Sequence, residues 1–177
     1  MGYASRVAFL PSRNRLKIMS YLLFAILGLV VLAVLAGQAG LLSGTPPNNL
    51  GVKEGRFKPP AKTPNSVSSQ VDLYPDHPQK DFARIDPIKF TGDGAVAMQK
   101  LAGVLKGMER MTIVKQEPDY LYATQQTALM KYTDDAEFYL DNSAGVIHVR
   151  SSSRLGRKDF EVNRARVEAV RSKFNAT

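Results

Sequence analysis

The feature that most constrains this chain is a long apolar run near its N-terminus. Residues 18–36 contain no formally charged side chain, and the uncharged stretch continues to Val52. At a rise of about 1.5 Å per residue, a helix over residues 18–36 nearly spans a hydrocarbon core about 30 Å thick. The run therefore predicts a transmembrane helix within residues 18–42.

Basic side chains precede this run without any acidic partner. The four basic residues of segment 1–17 are Arg6, Arg13, Arg15 and Lys17. Basic residues that flank a span tend to stay in the cytoplasm. We therefore expect residues 1–17 to be a cytoplasmic N-terminus and the span to be a single-pass anchor in the cytoplasmic (inner) membrane. The residues after it would form a periplasmic domain.

A cleaved signal peptide is the alternative interpretation of the same run. Ala36 or Ala39 would then be the small residue before the cut, with Gly37 two positions upstream of Ala39. The apolar run is longer than the usual signal-peptide core of about 7–15 residues, which favours an uncleaved anchor. Both interpretations place the following domain on the same side of the membrane.

Composition narrows the classes of function that the exported part can have. The chain has 177 residues, 24 Lys and Arg, 16 Asp and Glu, and a net charge of +8. Twenty basic and 16 acidic residues follow the apolar run, so this part carries only +4. A mildly basic exported domain is not expected to bind nucleic acid. The chain has no Cys, which excludes disulfides, thiolate metal sites and cysteine nucleophiles.

Proline divides the exported part into a linker and a domain. Eight of the ten prolines lie between Pro46 and Pro87. Proline removes backbone donors and favours extended conformations at the residue before it, so regular helix is not expected here. We interpret residues 43–62 as a Pro-rich linker and residues 63–177 as one small domain.

Hydrophobic periodicity predicts the elements of that domain. Asp93 is an expected N-cap for a helix over residues 94–109, whose apolar stripe is Met98, Leu101, Leu105 and Met108. Residues 111–115 and 120–127 have strand composition. A hairpin of residues 136–141 and 146–150 would pair Asp141 with Val146, Tyr139 with His148, and Glu137 with Arg150. This register leaves one face apolar and the other mostly polar, as in a sheet covered on one side.

A second helix is predicted to begin at Asn163, as its N-cap, and to bury Val167, Val170 and Phe174. The expected fold class is therefore α+β. A single N-terminal transmembrane helix precedes a small domain with a four-stranded antiparallel sheet, flanked by two helices on one face.

Several motifs of this domain resemble those of the domain of unknown function 1499 family. They are Pro64-Asn65-Ser66-Val67-Ser68-Ser69, Asp134-Asp135 followed by Phe138-Tyr139, the segment from His148 to Gly156, Asp159, and the segment from Asn163 to Glu168. The resemblance covers residues 60–175 and implies a bacterial or plastid-type exported domain without an established chemistry. The chain departs from the family pattern at Ser66, where Cys is frequent, and at Arg157-Lys158, where an aromatic residue and Ser are frequent.

One cluster of charged and polar residues is the candidate site of the domain. Its members are Asp134, Asp135, Arg150, Ser152, Arg154, Asp159, Asn163 and Arg164. Guanidinium groups near hydroxyls and a helix N-terminus could hold a carboxylate, a phosphate or a lipid headgroup. Alternatively, Arg154 could pair with Asp134, Asp135 or Asp159 and brace the last loop against the sheet. We favour the brace, and anion binding would require guanidinium groups without a carboxylate partner.

Other candidate chemistry is sparse. His148, on the polar sheet face, is too isolated for a metal site, so neither a metal nor a cofactor is expected. A hydrolase would require a Ser hydroxyl near His148. In the apolar run, the small-residue pairs Ala33–Gly37 and Ala36–Gly40 have the spacing of a helix-packing motif.

Taken together, these features predict a non-enzymatic, membrane-anchored accessory protein that contacts a larger membrane or envelope assembly. A binding module for a small anionic ligand is the second hypothesis, and a hydrolase is the third.

Overall fold

The computed structural model describes residues 13–177. Arg6, with the rest of residues 1–12, lies outside this range. The first element is the helix α1 (Arg13–Gln38), which begins before the predicted span. Among the described residues, it is the one helix whose length and composition would allow it to cross a membrane, a test that a signal sequence would also pass. Residues 13–177 do not bury the apolar part of this helix.

Helix α1 ends in a left-handed turn. The N–H of Leu41 donates to the carbonyl of Ala36, the N–H of Gly40 donates to that of Gly37, and Gly40 has a φ of 81°. These are the bonds of a Schellman cap, in which glycine avoids the steric cost of positive φ. Gly40 therefore lies beyond the helix and cannot form a small-residue pair with Ala36 on one helical face. The other predicted pair contains Gly37, which is already packed against Met130 of the same chain.

The domain is α+β, but its antiparallel sheet has six strands and not the predicted four. They are β1 (Ser66–Ser68), β2 (Ile88–Lys89), β3 (Met111–Gln116), β4 (Tyr120–Gln126), β5 (Thr133–Asp141) and β6 (Val146–Ser153). The order is β1-β6-β5-β4-β3, and β2 pairs with the other end of β6. The two additional strands have three and two residues, too few to show a hydrophobic alternation. The hairpin register of β5 and β6 is the predicted one, with Glu137 opposite Arg150.

The helices of the domain are α2 (Lys80–Ala83), α3 (Gly94–Lys106) and α4 (Val162–Ala176), with a 3₁₀ turn at Val71–Leu73. Asp93 caps α3 as predicted, since its carboxylate accepts the N–H groups of Ala95 and Val96. The predicted stripes of α3 and α4 pack with the apolar sheet face into one core. The short α2 and the 3₁₀ turn lie in the proline-rich part of the chain, where no regular helix was predicted.

Helix α4 begins one residue earlier than predicted, and Asn163 is not its N-cap. Instead, the carboxylate of Asp159 accepts the N–H groups of Glu161 and Asn163. The side chain of Asn163 is fully buried and contacts the sheet. A side chain that is used in tertiary contacts is not free to cap its own helix, so the nearby Asp159 takes that role.

Residues 49–58 do not form a free spacer, although they fall within the predicted linker. Phe57 is only 1% exposed and packs edge-on against Tyr139. Gln70 holds the segment as a strand partner would, since its amide accepts the N–H of Phe57 and donates to the carbonyl of Gly55. The N–H of Gly51 donates to Glu137 at 2.7 Å. Residues 49–58, which we call the covering segment, therefore cover the second face of the sheet. This face was expected to be open to solvent.

Candidate functional site

Strand β5 carries three carboxylates, those of Asp134, Asp135 and Glu137, and each of them pairs with an arginine. Asp135 and Glu137 point to the face covered by residues 49–58, whereas Asp134 points to the helices, because successive side chains of a strand alternate. All three carboxylates are buried. The pairs are Asp134 with Arg166, Asp135 with Arg154, and Glu137 with Arg150. Buried charges of this kind are tolerated only with such partners.

We call the group on the covered face the polar-face network; it comprises Tyr120, Tyr122, Asp135, Glu137, Arg150 and Arg154. Glu137 accepts hydrogen bonds from the hydroxyl of Tyr120 at 2.8 Å and from Arg150 at 2.9 Å, in addition to the N–H of Gly51. With three donors already bound, this carboxylate has little capacity left to act as a base. Its role here is to hold a covered sheet face together.

The second half of the polar-face network is centred on Asp135. Arg154 binds this carboxylate through Nε and through a terminal nitrogen at 2.8 Å, and Tyr122 donates to it at 2.6 Å. These contacts with Asp135 raise the pKa of Arg154 above its ordinary value. Burial, together with the hydrogen bond to Asp135, raises the pKa of the Tyr122 phenol to about 12. Tyr122 therefore stays protonated and remains a donor at neutral pH.

On the helix side, a second group forms the cap network, defined as Asp134, Ser151, Asp159, Asn163 and Arg166. Arg166 donates to Asp134, to the Ser151 hydroxyl and to the Asn163 amide oxygen. Asn163 donates in turn to the carbonyl of Asn65 and to Asp159. This network joins the first turns of α4 to the sheet and to the chain before β1.

The predicted cluster is therefore divided between two networks, and two of its members belong to neither. Arg164 lies away from the cluster and donates to the carbonyls of Phe82 and Arg84, so its inclusion was wrong. Ser152 lies in β6 between Ser66 and Asp135, and it is the neighbouring Ser151 whose hydroxyl contacts Asn163. The condition for anion binding at Arg150 and Arg154, a guanidinium without a carboxylate, is not met.

Sequence reasoning missed three members of these networks and two residues that contact them through the backbone. They are Tyr120, Tyr122, Asn65, Gly51 and Arg166. The sequence could have indicated Arg166, because helical spacing places it on the buried side of α4, three residues after Asn163. The contact of Gly51 had no signal, because nothing in its local sequence indicates a carboxylate 86 positions away.

The polar-face network has one polar atom that lacks a partner. Among the described residues, Arg150 Nε is the buried side-chain nitrogen or oxygen without a hydrogen bond. Burial, and then the charge of Arg150, lower the pKa of the ammonium group of Lys58 in residues 49–58. Two clefts flank this segment. One, of about 320 Å³, is lined by Lys53, Arg56 and Lys58, and the other, of about 450 Å³, by Tyr120 and Tyr139.

His148 does have a serine hydroxyl beside it. Ser69 Oγ lies 3.1 Å from His148 Nδ1, and Asp141 lies 3.8 Å from Nε2. The Ser69 hydroxyl also accepts the N–H of Val149 at 2.9 Å, and the N–H of Ser69 donates to the Val149 carbonyl. Neither cleft beside residues 49–58 is lined by Ser69 or His148. This arrangement fits a brace that extends β1 along β6 better than a nucleophile with its base.

No three His, Asp or Glu side chains within residues 13–177 are grouped so that they could hold a metal ion. No curated protein and no solved structure matches the chain. A family model described as "Protein of unknown function (DUF1499)" matches residues 56–174. This range includes Phe57 and Lys58 of the covering segment, both sheet faces and nearly all of α4. The chain therefore belongs to the domain of unknown function 1499 family.

Proposed function

We propose that this protein is a non-enzymatic, membrane-anchored accessory protein whose domain lies in the periplasm and contacts a larger membrane or envelope assembly. The observation that carries the proposal is helix α1. Residues 13–177 do not bury its apolar part, which supports lipid or another membrane helix as its surroundings. Because its N-terminal flank is basic, residues before it would remain on the cytoplasmic side of the inner membrane.

The interior of the domain supports a role in binding more than a role in catalysis. The ionisable side chains of the two networks bind one another and hold the covering segment and α4 in place. A catalytic acid or base needs a proton-transfer path to a substrate, and three donors already bind the carboxylate of Glu137. The groups that remain available to a partner are the exposed loops and α1.

A pull-down from gently solubilised membranes tests this function. The tagged full chain should recover a membrane or envelope protein in a constant ratio. A matched bait, in which α1 is replaced by an unrelated apolar span, shows whether the domain or the helix makes the contact. Repeated recovery of a lone monomer with both baits would contradict the proposal.

Binding of a small anion is a second candidate function, and one observation favours it. The cleft of about 320 Å³ is lined by Lys53, Arg56 and Lys58 and by no carboxylate. Titration of the protein with inorganic phosphate, followed by nuclear magnetic resonance, should shift signals of this segment. Replacing Lys53 and Arg56 by Gln should abolish those shifts, and shifts that persist unchanged would contradict this site.

A further inference from the structure

We infer that the end of the domain next to α1 lies on the lipid bilayer that holds this helix. The contacting surface, which we call the tip, consists of two neighbouring segments. They are residues 127–132 between β4 and β5, and residues 154–162, which form the loop after β6 and the first residue of α4. This inference rests on the proposed membrane anchoring and adds a second contact between the protein and the membrane.

The first support is the contact of the two loops with α1 and with the chain just after it. Gln38 donates to the carbonyl of Leu129 at 2.8 Å. A Cβ placed on Gly37 would lie 2.7 Å from the carbonyl oxygen of Met130, so the helix and this loop touch backbone to backbone. Just after the helix, Gly44 packs against the side chains of Arg154 and Leu155. The tip therefore lies where α1 ends.

The length of α1 places its end at the membrane surface. From Ile18 to Gln38, at about 1.5 Å per residue, the helix covers about 30 Å, the thickness of a hydrocarbon core. Gln38 would then lie near the headgroups. Since Gln38 contacts Leu129, the loop that carries Leu129 would lie at the same depth.

The second support is the composition of the tip. Eight large apolar side chains after residue 42 are exposed, and five of them are in these two loops: Leu129, Tyr132, Leu155, Phe160 and Val162. Apart from Arg154, which is paired with Asp135, the exposed or half-exposed charges of the tip are Lys131, Arg157, Lys158 and Glu161, a net charge of +2. Apolar and aromatic side chains interleaved with cations suit the interface of a bilayer with anionic lipids.

The third support is the way in which Phe160 is displayed. This side chain is 81% exposed, and both Phe160 and Glu161 have positive φ, at 51° and 67°. Such a conformation is unfavourable for residues other than glycine. Asp159 stabilises it by binding the N–H groups of Glu161 and Asn163. The loop backbone is therefore strained. It holds the Phe160 ring away from the domain and beside the ammonium group of Lys158.

Site-specific fluorescence on the full chain tests the inference. Since the chain has no Cys, single-cysteine variants can be labelled selectively. A polarity-sensitive fluorophore is attached to Leu129→Cys or Phe160→Cys, and to Val96→Cys as the matched control. Val96 is 62% exposed on α3, whose first turn packs near Asn142 at the opposite end of the sheet. The proteins are reconstituted into vesicles of phosphatidylcholine and phosphatidylglycerol.

Labels at 129 and 160 should be quenched by doxyl-labelled lipids and be several-fold less accessible to aqueous iodide than the label at 96. Equal iodide accessibility at all three positions would overturn the inference. The double variant Arg157→Gln/Lys158→Gln should lower lipid quenching at 160 at least about twofold in vesicles with phosphatidylglycerol. Unchanged quenching there would overturn the contribution of the two cations.

The failure of this inference and the failure of membrane anchoring give different results. If alkaline carbonate releases the full chain from membranes, the anchoring itself is contradicted. If the chain stays in the membrane while the labels at 129 and 160 are open to iodide, only the contact of the tip is overturned.

Discussion

At the scale of single residues, the stability of this domain depends on charges that are buried in pairs. Glu137 is 0% exposed and Arg150 is 4% exposed, so neither can exchange its partner for water. The sequence alone paired these two residues through the strand register. The sequence did not show that residues 49–58 cover both side chains. An exposed ion pair contributes little to stability, whereas this covered pair is buried.

Removal of the Glu137 charge should therefore be costly. In Glu137→Gln, the guanidinium of Arg150 stays buried without a counter-charge, and the free energy of unfolding should fall by about 3–5 kcal/mol. The matched control is Glu117→Gln, which breaks the exposed pair with Lys115 and should cost about 0–1 kcal/mol. Urea unfolding of the detergent-solubilised full chain measures both. Equal effects of the two substitutions would show that the Glu137 pair does not contribute as a buried pair.

His148 should make stability depend on pH. Burial lowers the pKa of its imidazole below 6.5, and the nearby Asp141 opposes this only in part. The folded protein thus favours the neutral ring, and this contribution is complete above about pH 6.5. It is lost as the pH falls from there through the lowered pKa.

The corresponding measurement compares the protein with His148→Asn, in which an amide oxygen can still accept the Ser69 hydroxyl. Between about pH 7.5 and about pH 5, the free energy of unfolding should fall more for the unsubstituted protein than for the variant. Parallel pH profiles would contradict the burial of a neutral His148.

At the scale of elements, the long helices and strands were predictable, whereas the short ones were not. The stripe of α3 and the hairpin of β5 and β6 repeat over several turns or residue pairs, which makes their periodicity visible. Strands β1 and β2 have no such repeat and exist because β6 offers them an edge. Similarly, the capping of α4 by Asp159 depends on a loop conformation with positive φ that no local pattern indicates.

The contact between α1 and the domain is also an element-scale feature, and glycine makes it testable. A Cβ at Gly37 would meet the backbone of Met130, whereas a Cβ at Gly28 would meet nothing within 4 Å. Gly37→Ala should therefore separate the helix from residues 127–132 and raise the hydrogen exchange of the Thr127 and Tyr132 amides several-fold. Gly28→Ala should leave this exchange unchanged. The same protection in both variants would contradict close packing at Gly37.

At the scale of the whole molecule, residues 49–58 decide how much of the chain forms the folded unit. The predicted boundary between a linker and a domain lay at residues 62 and 63. The packing of Phe57, the bond from Gly51 to Glu137, and the family match from residue 56 all place part of the predicted linker with the domain. Residues 49–58 form no regular helix, as predicted, but a segment without helix can be packed against a domain as well as free.

Two truncated chains test whether residues 49–58 cover the polar sheet face or only separate the domain from α1. A chain that begins at Thr45 should unfold cooperatively. A chain that begins at Thr63 loses the buried Phe57 and uncovers the polar-face network, so its thermal midpoint should be lower by about 10 °C or more. Circular dichroism measures both midpoints, and identical values would restore the interpretation of residues 43–62 as a plain spacer.

The sequence by itself determined the apolar helix, the α+β class, the register of the main hairpin and the family. These depend on local periodicity and on motifs, which are written along the chain. Only the tertiary structure decided that Arg154 binds Asp135 and Arg166 binds Asp134, that residues 49–58 cover the polar sheet face, and that Gly37 packs against the domain. Such contacts join residues that lie far apart along the chain, as Gly37 and Met130 do, and their energies depend on a burial that no local pattern contains.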